Sequence, residues 1–282
     1  MPGGIRGKIA QVRRKGPALS RETAKRILHA VPLIALAIVI VVAGGPWFAG
    51  GLLVIGILGA REFIAMARGK DPLPAPIYLG LLGFILAAAL GTDTTILLAF
   101  AIPFPLLFFF ALKRKDRTGI TVSLSVSLLG LFWIGIPLVH AILLRDIPEY
   151  GTGLLVDVLI GTFVADTGAY AVGRLFGSKQ FAPRLSPNKT VEGLIGGIAL
   201  GILAVWTAGL YQDWLSGTDA LILGAAVALT APIGDLFESM LKRDLGTKDA
   251  GGVFGAHGGV LDRLDAAFFT VVVGYYVSLL LV

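Results

Sequence analysis

From Ile27 to Ala60 the chain reads ILHAVPLIALAIVIVVAGGPWFAGGLLVIGILGA, 34 consecutive residues with no formally charged side chain. At about 1.5 Å per residue, one helix of that length far exceeds the ~30 Å hydrocarbon core of a bilayer, whereas two ordinary crossings fit. Gly44-Gly45-Pro46, in the middle, is a turn signal that divides them. A secretory leader combines a short basic region with one brief apolar stretch. Here a 26-residue arm, with eight Lys and Arg against the single acid Glu22, precedes two apolar spans. The stretch is therefore expected to be a permanent anchor, and the fold a helical membrane one.

The rest of the 282 residues agrees. Hydrophobic side chains make up 56% and charged ones only 15%, with a mean hydropathy of +0.84; a soluble domain carries about 25% charge. So little polar surface cannot clothe a water-soluble globule of this size. The 38 glycines suit helices that pack closely in lipid. With no cysteine, disulfides, thiolate metal sites and thiol nucleophiles are excluded. Apolar spans fall near 27–43, 47–66, 76–91, 94–112, 119–144, 151–172, 192–211, 217–240 and 262–281, with Pro137 expected to kink or shorten the fifth. The expected fold is all-α and polytopic, with about nine transmembrane helices, a cytoplasmic N-terminus and an outer C-terminus. Its parts are a basic arm (1–26), an N-terminal membrane region (27–150) and a C-terminal catalytic region (151–282) with cytoplasmic loops 173–191 and 241–261. In that arrangement 23 of the 24 Lys and Arg lie on the cytoplasmic side and only Arg145 lies outside, as the positive-inside rule requires. The net charge of +6 then reads as topology and affinity for anionic lipid, not as a nucleic-acid surface.

Acids within the spans need a separate reason, because a carboxylate in a transmembrane helix costs about 2.5–3.5 kcal/mol on insertion scales. Asp157 falls towards the outer end of its helix, where an interfacial place would explain it. Asp166, Asp235, Asp262 and Asp265 fall in the cytoplasmic third of theirs. Asp262 and Asp265 share a helical face, as do Asp235 and Ser239. Hard oxygen ligands from two helices are what Mg²⁺ takes, together with phosphate oxygens. Lys242, Arg243, Lys248 and Asp249 crowd between them, and metal plus basic side chains is the recurrent apparatus of transfer at phosphorus. The plainer alternative has the acids pairing with Lys242, Arg243 and Arg263 as structural glue. Between them runs a stretch too rich in glycine for a stable helix, Ala250 to Gly259, which lets backbone N–H groups approach phosphate but lacks P-loop spacing. Its His257 is a modest catalytic candidate. A second polar cluster, Gly173 to Gly193, contains Arg174, Ser186, Lys189, Thr190 and Glu192 and enters the next helix through Ser186-Pro187-Asn188-Lys189-Thr190.

The run Ser239-Met-Leu-Lys242-Arg243, then Lys248-Asp249, then Phe254-Gly-Ala-His257-Gly258-Gly259-Val-Leu-Asp262-Arg263-Leu-Asp265 resembles the signature of the phosphatidate cytidylyltransferase (CDP-diacylglycerol synthase) family at every specified position. Asp166, Tyr170, Gly173-Arg174, Ser186-Pro187, Lys189-Thr190 and Glu192-Gly193 resemble it upstream. The specific likeness covers about residues 160–265; the N-terminal half agrees only in hydropathy. The resemblance implies transfer of the cytidylyl group of CTP to phosphatidic acid at a cell membrane, dependence on Mg²⁺ or Mn²⁺ with room for a second cation, and a homodimer. It implies metal ligation by Asp235 and Asp262 with Asp265 in support, and phosphate binding by Lys242, Arg243, Lys248 and Arg263. Asp249 and His257 join these as catalytic candidates. Asp166, Arg174, Ser186, Lys189, Thr190, Glu192, Ser239, Gly258 and Gly259 are expected at the substrates. A secondary transporter would instead place its acids at mid-membrane with repeat symmetry, and no clear repeat is present. A nearer rival is a CTP-dependent lipid kinase, or a cytidylyltransferase acting on another lipid backbone.

Overall fold

Prolines and small polar caps mark where the helices begin. Pro46, Pro74 and Pro103 occupy the first turns of three of them, where the missing N–H costs nothing. Thr190 and Ser216 cap two more, accepting the N–H groups of Gly193 and Asp219. The computed structural model describes residues 37–252 and 258–282; the basic arm, most of the first expected span and His257 lie outside the described residues. The helices are α1 (described over 37–43), α2 (Gly45–Met66), α3 (Pro74–Leu90), α4 (Asp93–Ala101), α5 (Pro103–Leu112), α6 (Ile120–Arg145), α7 (Gly151–Phe176), α8 (Val191–Gly209), α9 (Gly217–Asp244) and α10 (Leu261–Leu281). Contacts group Val39–Val282 into one unit, which holds every helix from α2 to α10.

The fold is all-helical. Among the described residues the only extended pairing is an isolated antiparallel bridge between Gln180 and Thr190. Among the described residues seven stretches are long and apolar enough to cross a membrane, with α4 and α5 counting as one, and α3 is a shorter apolar helix of 17 residues. Pro103 divides the expected 94–112 span in two, whereas α6 runs unbroken through Pro137. The helix is not shortened there: it keeps its full 26 residues. Large apolar side chains such as Leu97, Phe104, Phe108 and Phe109 are exposed, as expected of a surface solvated by lipid. The chain is a multi-pass membrane protein.

Side-chain contacts sort the helix ends into two sets. At one end, Arg114 pairs with Asp71, Leu73 N–H reaches Ser127 Oγ at 2.8 Å, Lys189 pairs with Asp235, and Lys242 bonds Asp262 at 2.8 Å. At the other, Arg145 lies over Gly44, Tyr150 stacks on Trp214 with ring centroids 4.7 Å apart, and Gln212 holds Asp157. The first set carries the basic loops.

Two packing devices fix the site-bearing helices. On α7, Gly161, Ala165, Ala169 and Gly173 recur every four residues, and Gly193, Gly197 and Gly201 do so on α8. A Cβ on Gly197 would come within 2.5 Å of Ala165 O, so the two backbones touch only because side chains are missing. In the aromatic core, Trp133 on α6 meets Phe63, Phe237 and Phe268 edge-on, from α2, α9 and α10. Gly130 makes room for the Phe63 ring.

Candidate active site

At the basic end, a cavity of about 490 Å³ opens among α7, α8, α9 and α10. Its walls are largely small and apolar, including Ala165, Ala169, Ile198, Ala228 and Ala231, and its polar groups include Asp166, Arg174, Lys189, Thr190 and Asp235. The small-residue crossing of α7 on α8 sets this arrangement: Asp166 follows Ala165 on that ridge, and Lys189 lies just before α8.

Lys189 Nζ makes an ion pair with Asp235, whose other oxygen lies 3.5 Å from Ser239 Oγ. Asp166 is within electrostatic reach of Asp235, Lys189 and Arg263, and Asp265 is within reach of Asp235, Glu238 and Asp166. Three carboxylates from α7, α9 and α10 therefore share one neighbourhood with two cations. Their hard oxygens are the donor type that Mg²⁺ or Mn²⁺ prefers. Among the described residues no three acidic or histidine side chains are spaced to ligate one ion together, and Asp235 is turned to Lys189.

Asp262 has a different setting. Lys242 Nζ donates to Asp262 Oδ1 at 2.8 Å and to Glu238 Oε2 at 2.6 Å. Ala250 N–H donates to both Asp262 oxygens at 3.1 Å, and Gly259 N–H to Oδ2 at 2.8 Å. The two N–H groups flank the glycine-rich stretch, so Asp262 ties its ends together across the first turn of α10. Gly258 takes a positive φ of 80°, and a Cβ there would meet Asp262 Oδ2 at 2.8 Å, which only glycine avoids. Lys242 thus joins two carboxylates.

The remaining candidates divide in the same way. Arg174 lines the cavity and donates to Tyr170 Oη at 2.9 Å. Glu192 accepts from Ser178 N–H and Lys179 N–H at 3.1 and 3.2 Å, clamping the entering loop. Thr190 caps α8. Ser186 serves the turn, its carbonyl accepting Lys189 N–H at 3.2 Å. Arg243 Nε reaches Leu185 O at 3.4 Å and so links the two loops. Lys248, Asp249 and Arg263 are exposed beside them. Asp157 is buried at the opposite end, accepting from Gln212 Nε2 at 3.0 and 2.9 Å.

Two buried acids have no clear mark in the sequence. Glu238 looks like one more polar residue near a helix end, and Glu62 sits beside Arg61 at the edge of a loop. The i, i+4 spacing to Lys242 offers a signal for the first; nothing local marks the second, whose partner is Leu261 N–H, 199 positions away.

Comparison with known proteins places this geometry. A model of the cytidylyltransferase family matches residues 24–281. A phosphatidate cytidylyltransferase of Synechocystis is 34% identical over 91% of this chain and 97% of its own. One from Haemophilus influenzae is 33% identical over 86% and 93%, and one from Aquifex aeolicus 32% over 78% and 91%.

Proposed function

The chain belongs to the cytidylyltransferase family, and we propose that it transfers the cytidylyl group of CTP to phosphatidic acid, giving CDP-diacylglycerol and pyrophosphate for phospholipid synthesis. The observation that supports this best is the cavity at the basic end. It joins an apolar lining, suited to lipid, with Asp166, Arg174, Lys189 and Asp235, suited to phosphate and a cation. We take that end as cytoplasmic, because CTP arrives from that side and because lysine and arginine concentrate there. The membrane is then the cell membrane, and the protein works as a homodimer.

A phosphate oxygen of phosphatidic acid attacks the α-phosphorus of CTP. The new P–O bond forms as the bond to the bridging β-phosphate oxygen breaks, and pyrophosphate leaves with that electron pair. A phosphate monoester has a second pKa near 6, so the nucleophile is already anionic and needs no strong base. What the protein must do is bring two polyanions together in line and spread the developing charge. Lys189 faces the cavity from the loop before α8 and Arg174 from the last turn of α7, and Arg243, Lys248 and Arg263 are exposed on neighbouring segments. Mg²⁺ or Mn²⁺, held by Asp235 and Asp265 beside Asp166, would neutralise phosphate charge there. Asp262 and Lys242 hold the glycine-rich stretch against α9, so that its N–H groups and flanking cations keep their places.

The deciding experiment supplies the purified chain with CTP labelled at the α-phosphorus, phosphatidic acid and Mg²⁺. Label entering the lipid fraction, with one pyrophosphate released per lipid made and loss of both on adding EDTA, is the expected result. Label remaining in soluble CDP would mean phosphoryl transfer from the γ-position, the chemistry of a lipid kinase.

A further inference from the structure

We propose that Glu62, in the N-terminal half of the chain, is a positioning residue for the transfer reaction, seating the start of α10 and both flanks of the glycine-rich stretch. The proposal rests on cytidylyl transfer being the reaction at this site.

Glu62 lies four residues before the end of α2 and is 4% exposed. Its Oε2 accepts Leu261 N–H at 3.0 Å, one of the first-turn donors of α10 that has no partner inside its own helix. The carboxylate also presses on both sides of the stretch. A Cβ added to Gly251 or to Gly259 would come closer than 3.0 Å to its atoms, so both positions admit hydrogen alone. One turn earlier on α2, Gly59 packs against the Leu261 side chain, which would meet a Cβ there at 3.1 Å. The next residue, Phe63, is fully buried against Trp133 and Gly130 and holds this part of α2 rigid.

Burying a carboxylate for one backbone hydrogen bond is a poor exchange for stability. Glu62 Oε1 has no hydrogen-bond partner among the described residues. What the residue does accomplish is placement. Asp262 directly follows the N–H that Glu62 holds, and Asp265 is one turn further along. Asp262 in turn binds the N–H groups of Ala250 and Gly259, neighbours of or identical to the glycines that Glu62 touches. The two flanks of the stretch are thus held by two carboxylates, Asp262 from α10 and Glu62 from α2. Removing Glu62 loosens the start of α10 and with it both aspartates.

The test uses the full chain in lipid nanodiscs, with α-labelled CTP for turnover and hydrogen–deuterium exchange for the segment from Leu245 to Leu264. Glu62→Ala should speed exchange there and lower kcat about tenfold or more, since a displacement of ~1 Å costs up to about a hundredfold, while KM for CTP stays near the parent value. Glu62→Gln keeps a carbonyl acceptor and should remain near the parent in both measurements. Parental exchange and kcat in Glu62→Ala would overturn the proposal. So would a Glu62→Gln protein that is inactive with parental exchange, because the charge itself would then take part in the chemistry. If Glu62→Ala does not fold, Gly251→Ala reads the same contact. It should lower kcat, and Glu62→Asp, by withdrawing the carboxylate, should restore part of it; absence of rescue refutes the contact. Failure of the parent to label lipid would count against the proposed function, whereas the exchange comparison would still report on Glu62.

Discussion

Replacing Lys242 with methionine separates two roles for that residue. As a phosphate ligand, Lys242 would matter only when substrate is bound, and its loss would leave the resting protein as stable as before. The structure instead places its ammonium between Glu238 and Asp262, with side chains only 14%, 1% and 13% exposed. Removing one partner from such a group strands buried charge, at a cost of about 3–5 kcal/mol. Asp262 keeps backbone donors from Ala250 and Gly259, so most of the penalty falls on Glu238, whose Oε1 has no partner among the described residues. At about 2–4 °C per kcal/mol for chains of this order, the expected fall in Tm is roughly 10 °C. Thermal unfolding of substrate-free protein in detergent, followed by the fluorescence of its four tryptophans, measures it. Adding Glu238→Gln should recover at least half of the loss, since the stranded charge is removed, and the double-mutant cycle then gives the coupling directly. A Lys242→Met protein with parental Tm, or a double variant no more stable than the single one, would refute the reasoning.

Asp235→Asn should abolish transfer of α-label to lipid while the protein stays folded in the membrane. Asp157→Asn, at the far end, should keep turnover, because its amide can still accept from Gln212 and also donate to the Gln212 Oε1 that now lacks a partner; a circular-dichroism melt beside the assay checks both. Gly197→Ala should destabilise by about 1–3 kcal/mol through overpacking against Ala165 and Ala169, and should lower activity by moving Asp166. Gly83→Ala, where an added methyl meets nothing within 4 Å, should be neutral or stabilising by up to about 1 kcal/mol, and parallel melts of the two compare them. Single cysteines in the cysteine-free chain at Arg184 and Asp213 should label from opposite sides of the membrane with an impermeant maleimide; labelling of both from one side would overturn the topology.

Sequence alone determined that the chain lives in lipid and is built of helices, because the cost of burying charge and backbone polarity in hydrocarbon leaves few other options for runs such as 27–60. It also singled out Asp166, Lys189 and Asp235, which the fold brings to one cavity, and the family signature from Ser239 to Asp265 is dense enough to read without coordinates. Among the described residues its helix bounds held within a few residues except at Pro103, where the helix breaks, whereas α6 continues through Pro137.

Tertiary structure decided which charged side chains line the cavity and which are tied into the framework. Lys242, Glu192 and Asp262 look alike in sequence to Lys189, Arg174 and Asp235, for each is a charge near a helix end. The first three are bonded to partners away from the cavity, while the last three line it, Lys189 and Asp235 as an ion pair. A carboxylate's role depends on what lies within about 3 Å of it, and those neighbours come from helices tens of residues apart. Glu62 is the extreme case. Its meaning lies wholly in a helix start 199 positions later, and no local pattern in a linear chain can encode the arrival of that partner.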